Sequence, residues 1–249
     1  RTGAGITISI DGMKETHDSI RGSGNFEKAI GILRKLVDLK SQGKGFGPIA
    51  ASLCIHQPNY LEMADVAKLL LDDIGVDHLS MSILVFATDE TLRKHGEWRV
   101  QHELPEKFDI VIPRGGGGVE TVDDLKVMDF EKLWDMKTEL DGTHLNLTFE
   151  PNFHSLEDLK KYFLTDEVMP KYFSSGCRVV REQMFLLSNG DVMFAPQCFQ
   201  VKCGNIRDNT ADDIWHGPEF MELRQHLAAN LSPVCAHCCG NRIEKETAV

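Results

Sequence analysis

Apolar and polar residues alternate over Ile6-Thr7-Ile8-Ser9-Ile10-Asp11, the two-residue period of a strand with unlike faces. From Phe26 the period lengthens. Phe26, Ala29, Ile30, Leu33 and Val37 recur at helical spacing. Ile49 to Ile55 returns to alternation and predicts a second strand. Asn59 is the predicted cap of a helix whose apolar stripe includes Met63, Val66 and Leu70. A third strand is predicted over His78 to Leu84 and a fourth over His144 to Glu150, with a helix between them at about residues 123–140. Strands separated by helices predict parallel βα units. Residues 86–122 break the rhythm with Pro105, Pro113 and the run Gly115 to Gly118, and predict an insertion or flexible loop. The glycines lack the Lys-Ser/Thr of a phosphate loop.

The four strands share one pattern. One side carries Thr7, Ser9 and Asp11, then Ser52, Cys54 and His56, then His78, Ser80 and Ser82, then His144, Asn146, Thr148 and Glu150. The other carries Ile6, Ile8, Ile10, Ala51, Leu53, Ile55, Leu79, Met81, Ile83, Leu145, Leu147 and Phe149. A parallel sheet with helices on both faces is apolar on both. A consistently polar side instead predicts the lining of a barrel that holds a polar ligand. The competing expectation is an antiparallel sheet with one wet face, which interleaved helices disfavour. Cys54 is expected as a buried core thiol.

Composition narrows the function classes. The formal charge of −11 argues against a broad phosphate-binding surface, so no nucleic-acid partner is expected. No apolar run suggests a membrane span, and no export signal is visible, so a cytoplasmic protein is expected. Seven cysteines in such a chain, five of them in the last 52 residues, point to metal ligation rather than disulfides.

Four of them, Cys177, Cys198, Cys235 and Cys238, are spaced C-x20-C-x36-C-x2-C. Asn189-Gly190 predicts a type I′ turn that pairs Met184–Leu187 with Val192–Phe194 and folds Cys177 and Cys198 toward each other. Phe220, Leu223 and Leu227 form a helical stripe that can pack on this hairpin and bring the C-x2-C alongside, with Pro233 ending the helix. Cys203 and Cys239 are possible alternative ligands. On the residues alone, a four-iron four-sulfur cluster and a structural zinc site both suit four thiolates.

Two regions together resemble a known superfamily. Ile8–Phe26, ISIDGMKETHDSIRGSGNF, resembles the fourth barrel strand and following loop of radical S-adenosylmethionine enzymes. The tail, from Gly176-Cys177 through SNGDVMFAPQC, GNIRDNTADDIW and CAHCCG, resembles the SPASM/twitch auxiliary-cluster domain of that superfamily. The resemblance implies an α/β chain: the C-terminal half of a partial (β/α)6 barrel over residues 1–173, then a SPASM/twitch domain over 174–249. It also implies a reaction, hydrogen abstraction from a peptide or small-molecule substrate by a 5′-deoxyadenosyl radical. The cofactors implied are S-adenosylmethionine and a 4Fe-4S cluster on Cys177, Cys198, Cys235 and Cys238. An electron donor such as flavodoxin or ferredoxin is the implied partner. Ser9 would reach the ribose of S-adenosylmethionine and Arg21 its methionine carboxylate, with Asp11 beside them. Read from the residues alone, Asp11 as a helix cap and Arg21 in a surface ion pair stay open. His17 and Asp18 are read as shaping the loop. His56, His78, Ser80, Ser82 and Glu150 are the candidate substrate-lining residues.

The chain departs from the superfamily in one respect. It holds no C-x3-C-x2-C, the motif that binds the catalytic cluster, and it starts at Arg1. The expectation is a C-terminal portion of a longer enzyme that cannot by itself cleave S-adenosylmethionine. The alternatives are a non-catalytic iron–sulfur- or zinc-stapled binding module and a degenerate relative.

Overall fold

The computed structural model describes residues 4–45, 47–108, 126–172, 176–177, 179–194, 198–199 and 201–238. The Gly115–Gly118 run, Pro113 and Cys239 lie outside them. The chain divides into two compact units, Arg1–Leu84 with Gly115–Lys160, and Val85–Arg114 with Lys161–Val249.

The first unit is built on four parallel strands, β1 (Ile6–Ser9), β2 (Ile49–Ile55), β3 (His78–Ile83) and β4 (Leu147–Glu150), in that spatial order. The register aligns Ser9, Ser52, Ser80 and Thr148 in one row, and Cys54, Ser82 and Glu150 in the next. The rows between are Ile8, Ala51, Leu79, Leu147 and then Leu53, Met81, Phe149. The apolar rows of β2, β3 and β4 are buried. Strands laid down in chain order by right-handed crossovers send every connecting helix to the same face. The helix Asn25–Ser41 turns Phe26, Ile30 and Leu33 inward, and Met63–Ala67, which runs on as a π-helical segment over Lys68–Ile74, buries Met63, Val66, Leu70 and Ile74. The helix Phe130–Thr143 buries Leu133 and Leu140. These four strands all pair in parallel, which removes the antiparallel alternative for this sheet.

Three expectations need correction here. The fourth strand starts at Leu147. His144 closes the preceding helix and pairs with Asp72 at 3.4 Å, and Leu145 is fully exposed, so neither belongs to the sheet faces. Asn59 caps nothing with its side chain, because the ends of β1 and β2 claim it, as shown below. Cys54 lies half-buried on the polar face rather than in the core.

In the second unit the stretch expected as a loop contains the helix Asp89–Gln101, opened by a capping box between Thr88 and Thr91. Glycine and proline counts outweighed this weakly amphipathic helix in the reading of 86–122. A three-stranded antiparallel sheet follows, β5 (Phe185–Leu186), β6 (Asp191–Phe194) and β7 (Val201–Asn205), in that order. The β5–β6 turn is not type I′, which needs positive φ at both central residues. Only Gly190 has it, at +87°, and Leu187 O accepts from Gly190 N. Asn189 Oδ1 accepts from Asp191 N at 3.0 Å, which leaves the left-handed position to the glycine. The result is a type I turn closed by a glycine bulge. The helix Pro218–Ala229 buries Phe220, Leu223 and Leu227 in one core with Val192, Phe194, Val201 and Ile214. Pro233 opens a 3-10 turn, Pro233–His237, four residues after that helix has ended. No helix among the described residues is long and apolar enough to cross a membrane.

Candidate functional site

Two places gather chemistry. The first is the C-terminal end of β1 and β2, where βα proteins present their ligand-binding groups. Asp11, two residues past β1, is buried. Its Oδ1 accepts from Cys54 N at 3.1 Å and its Oδ2 from Arg21 Nε. Asp11 is thus a bracket between β1, β2 and the helix Lys14–Arg21, and not a helix cap. Arg21, at 43% side-chain exposure, is held through Nε, so its two Nη groups keep the fork that suits a carboxylate. Asn59 ties the two strand ends together: Nδ2 donates to Asp11 O at 3.1 Å and to Cys54 O at 2.8 Å, while Oδ1 accepts from His56 N at 3.0 Å.

His17 is buried and accepts from Asp11 N at Nδ1, 3.0 Å away. Burial lowers its pKa, Asp11 opposes that, and Arg21 reinforces it. The backbone N–H groups of Phe26 and Gly24 bond both oxygens of Asp18 and hold its carboxyl below the usual range. These two residues shape the loop, in line with the sequence reading. Glu62 escaped that reading. Its carboxylate accepts from Met13 N and from Thr16 Oγ1, each at 2.7 Å. It lies so close to Gly12 (φ +137°) that a Cβ there would stand 2.7 Å from Glu62 Oε2. Nothing local in the sequence announces Glu62, since its partners are 46 and 49 residues away.

Along the polar face, Ser9 and Ser52 hydroxyls are 3.2 Å apart and His78 Nε2 is 3.0 Å from Thr148 Oγ1. Ser80, Ser82 and Glu150 are half-buried in register with them. Burial, with Asp11 adding to it, pushes the Cys54 thiol up to about 12, so it is no nucleophile at neutral pH. His56 is fully buried, and neither ring nitrogen has a partner among the described residues.

The second place is the cysteine region of the other unit. Cys177 N donates to Leu227 O at 3.1 Å, which fixes it at the end of the helix Pro218–Ala229. Cys235 lies in the 3-10 turn and Cys238 at its end, with Cys235 N on Ser232 O and Cys238 N on Cys235 O. Burial raises the Cys235 thiol well above its usual range, and the neighbouring Cys238 and Cys177 sulfurs raise it further. Cys238 and Cys177 are therefore each within electrostatic reach of Cys235. Cys198 is half-buried against the same apolar core as Cys177. Cys203 lies on β7, buried, with its thiol 3.7 Å from Val201 O and pushed up to about 11 by burial. Among the described residues no group of three Cys, His, Asp or Glu is arranged to hold a metal ion. By donor chemistry the residues fit an iron–sulfur cluster: four soft thiols are the ligand set that such a cluster takes.

The C-x2-C turn is held from outside by residues that sequence reasoning missed. His95, on the helix Asp89–Gln101, is buried with Nε2 on Phe108 O at 2.9 Å and Nδ1 on Ser232 Oγ at 2.7 Å. A carbonyl only accepts, so Nε2 carries a proton and donates to Phe108 O. His237, between the two cysteines, stacks on Phe86 at 4.0 Å. Its Nδ1 meets Tyr162 O at 2.6 Å and its Nε2 meets Asp166 Oδ1 at 3.1 Å. Tyr162 Oη in turn donates to His237 O at 2.6 Å. The signal was present in the sequence as a histidine inside CAHC, but its partners are 71 and 75 residues distant.

Comparison with known proteins decides the second place. Residues 177–239 match the family model of SPASM, an iron–sulfur cluster-binding domain. No curated protein and no solved structure matches the chain. The SPASM match begins on Cys177 and takes in every later cysteine, so iron–sulfur binding is the chemistry supported for this segment.

Proposed function

We propose that these residues belong to a radical S-adenosylmethionine enzyme, with the polar sheet face as its substrate and S-adenosylmethionine surface and the SPASM segment as its auxiliary-cluster domain. The observation that carries the reading is the SPASM match in the same chain as a parallel sheet laid down in order with one polar face. Such a sheet, buried on its apolar face and polar on the other, suits an open half barrel.

In this reading Arg21 offers its Nη fork to the methionine carboxylate while Asp11 holds the guanidinium in place. Ser9, in the row with Ser52, faces the ribose. His56, His78, Ser80, Ser82 and Glu150 line the substrate side. Cys177, Cys198, Cys235 and Cys238 would hold the 4Fe-4S cluster, which when bound carries an electron or ligates substrate. The chain holds no C-x3-C-x2-C, so the radical step belongs to a polypeptide that carries that motif together with these residues. A peptide or small molecule is the substrate class, a flavodoxin or ferredoxin the electron donor, and the cytoplasm the compartment. The missing motif favours one second reading, a cluster- or zinc-stapled binding module without catalysis.

Anaerobic reconstitution with iron and sulfide tests the cluster. A brown protein with about four irons per chain supports it, and colourless protein with one zinc refutes it. Cys177→Ala and Cys235→Ala should each abolish the colour. Retention of full iron in both would overturn the ligand set.

A further inference from the structure

Four buried histidines occur among the described residues, His17, His56, His95 and His237. Three of them use their rings in hydrogen bonds within the fold. His56 does not, although its backbone is bonded at both its N–H and its carbonyl. Its N–H donates to Asn59 Oδ1 at 3.0 Å, and its carbonyl accepts from Asn59 N and Tyr60 N, each at 3.1 Å. The ring therefore stands where the chain puts it, with no exposure and two unpartnered nitrogens. A leucine would fill the position without leaving polar atoms unpaired, so the fold gains nothing from an imidazole here.

The nearest charge does not serve it. Asp11 raises the tendency of His56 to take a proton, but both carboxylate oxygens are already bonded, to Cys54 N and Arg21 Nε. Burial is the larger influence and keeps the ring neutral. A neutral imidazole presents one donor and one acceptor. His56 follows β2 directly, at the same strand ends as Asp11 and Arg21.

We infer that His56 is a ligand-contacting residue, its ring kept for a bound molecule that brings an uncharged group able both to donate and to accept, such as an amide or the amino-imine edge of an aromatic heterocycle. This rests on the reading of the sheet's polar face as a ligand surface, and moves His56 from the substrate side of that surface to the S-adenosylmethionine side, as a second, neutral point of contact beside the carboxylate anchor at Arg21.

The test compares His56→Leu and His56→Gln with the unaltered chain, by thermal unfolding without ligand and by calorimetric titration with S-adenosylmethionine. His56→Leu should raise the ligand-free melting midpoint by about 2–4 °C, because an unpaired buried polar group is replaced by an apolar one. The same variant should weaken S-adenosylmethionine binding about tenfold, and His56→Gln, which keeps a donor and an acceptor, should lose less. A lowered midpoint in His56→Leu makes the ring structural and overturns the inference. Unchanged affinity in His56→Leu overturns it too, with the ligand surface left standing. Equal losses in both variants would make shape the cause and also overturn it. If the unaltered chain binds no S-adenosylmethionine, that assignment of the surface falls. A raised midpoint in His56→Leu then supports the ring's being kept for another ligand, and a lowered one ends the inference.

Discussion

The sheet end and the cysteine turn are organised in opposite ways. At the sheet end the side chains bond one another: Asp11 to Arg21 and Cys54, Asn59 to two strand ends, Glu62 to Met13 and Thr16. What is left over is small, the Nη fork of Arg21 and the ring of His56. At the cysteine turn the bonding is done around the cysteines, by His95, Ser232, Tyr162 and His237. The first arrangement suits an organic ligand recognised at few points. The second suits a group that binds sulfur. In both, the framework is satisfied before the ligand arrives, which is the physical meaning of pre-organisation.

The largest effect should come from breaking the sheet-end framework at its centre. Asp11→Ala leaves the Cys54 N–H without its acceptor in a buried place and frees Arg21. A loss of about 3 kcal/mol is expected by urea unfolding. Asp11→Asn keeps an acceptor for Cys54 and should cost about 1 kcal/mol, because the Arg21 partner is partly exposed and its ion pair is screened. Equal losses in the two variants would show that the ion pair, not the backbone bond, holds the strands together.

This framework was half legible in the sequence. Alternation over Ile6–Asp11 and Ile49–Ile55 placed Ser9, Asp11, Ser52 and Cys54 on one side, and the register bears that out for the strand residues. Periodicity works there because a strand's faces are a local property. It could not supply the partners. Asn59 looks like a helix cap because caps are local and common, whereas its real bonds reach back to Asp11 and Cys54. The Asp89–Gln101 helix was hidden by the prolines and glycines that follow it, and His95 with it. The cysteine spacing was legible because thiolate ligation restricts residue type, and the SPASM match covers the same residues.

A somewhat smaller effect should come from the cysteine turn. His95→Ala strands the Ser232 hydroxyl and the Phe108 carbonyl in the interior, for an expected loss of about 2 kcal/mol. The contrast between the two regions sharpens if iron is followed as well. The variant should still take up iron after reconstitution, since no thiol has been removed, but with a broadened electron paramagnetic resonance signal, because Ser232 no longer fixes the Cys235 backbone. An unaltered signal would mean that the thiols are positioned by the cluster alone, and the proposed difference between the two sites would lose half its content.

The smallest effect is electrostatic and belongs to the sheet end. His17 has a folded pKa below the usual 6.5, caused first by burial and then by Arg21, with Asp11 and Asp18 pulling the other way. The unfolded chain therefore binds a proton more readily than the folded one between that lowered value and about 6.5. Stability from this source is complete above about pH 6.5 and falls as the pH drops through the window. His17→Asn keeps an acceptor for the Asp11 N–H and removes the titration. Its unfolding free energy should fall less steeply with acidification between about pH 6.5 and 5, by up to one proton's worth of slope. An unchanged slope in His17→Asn would show that His17 is not the group that titrates against the fold.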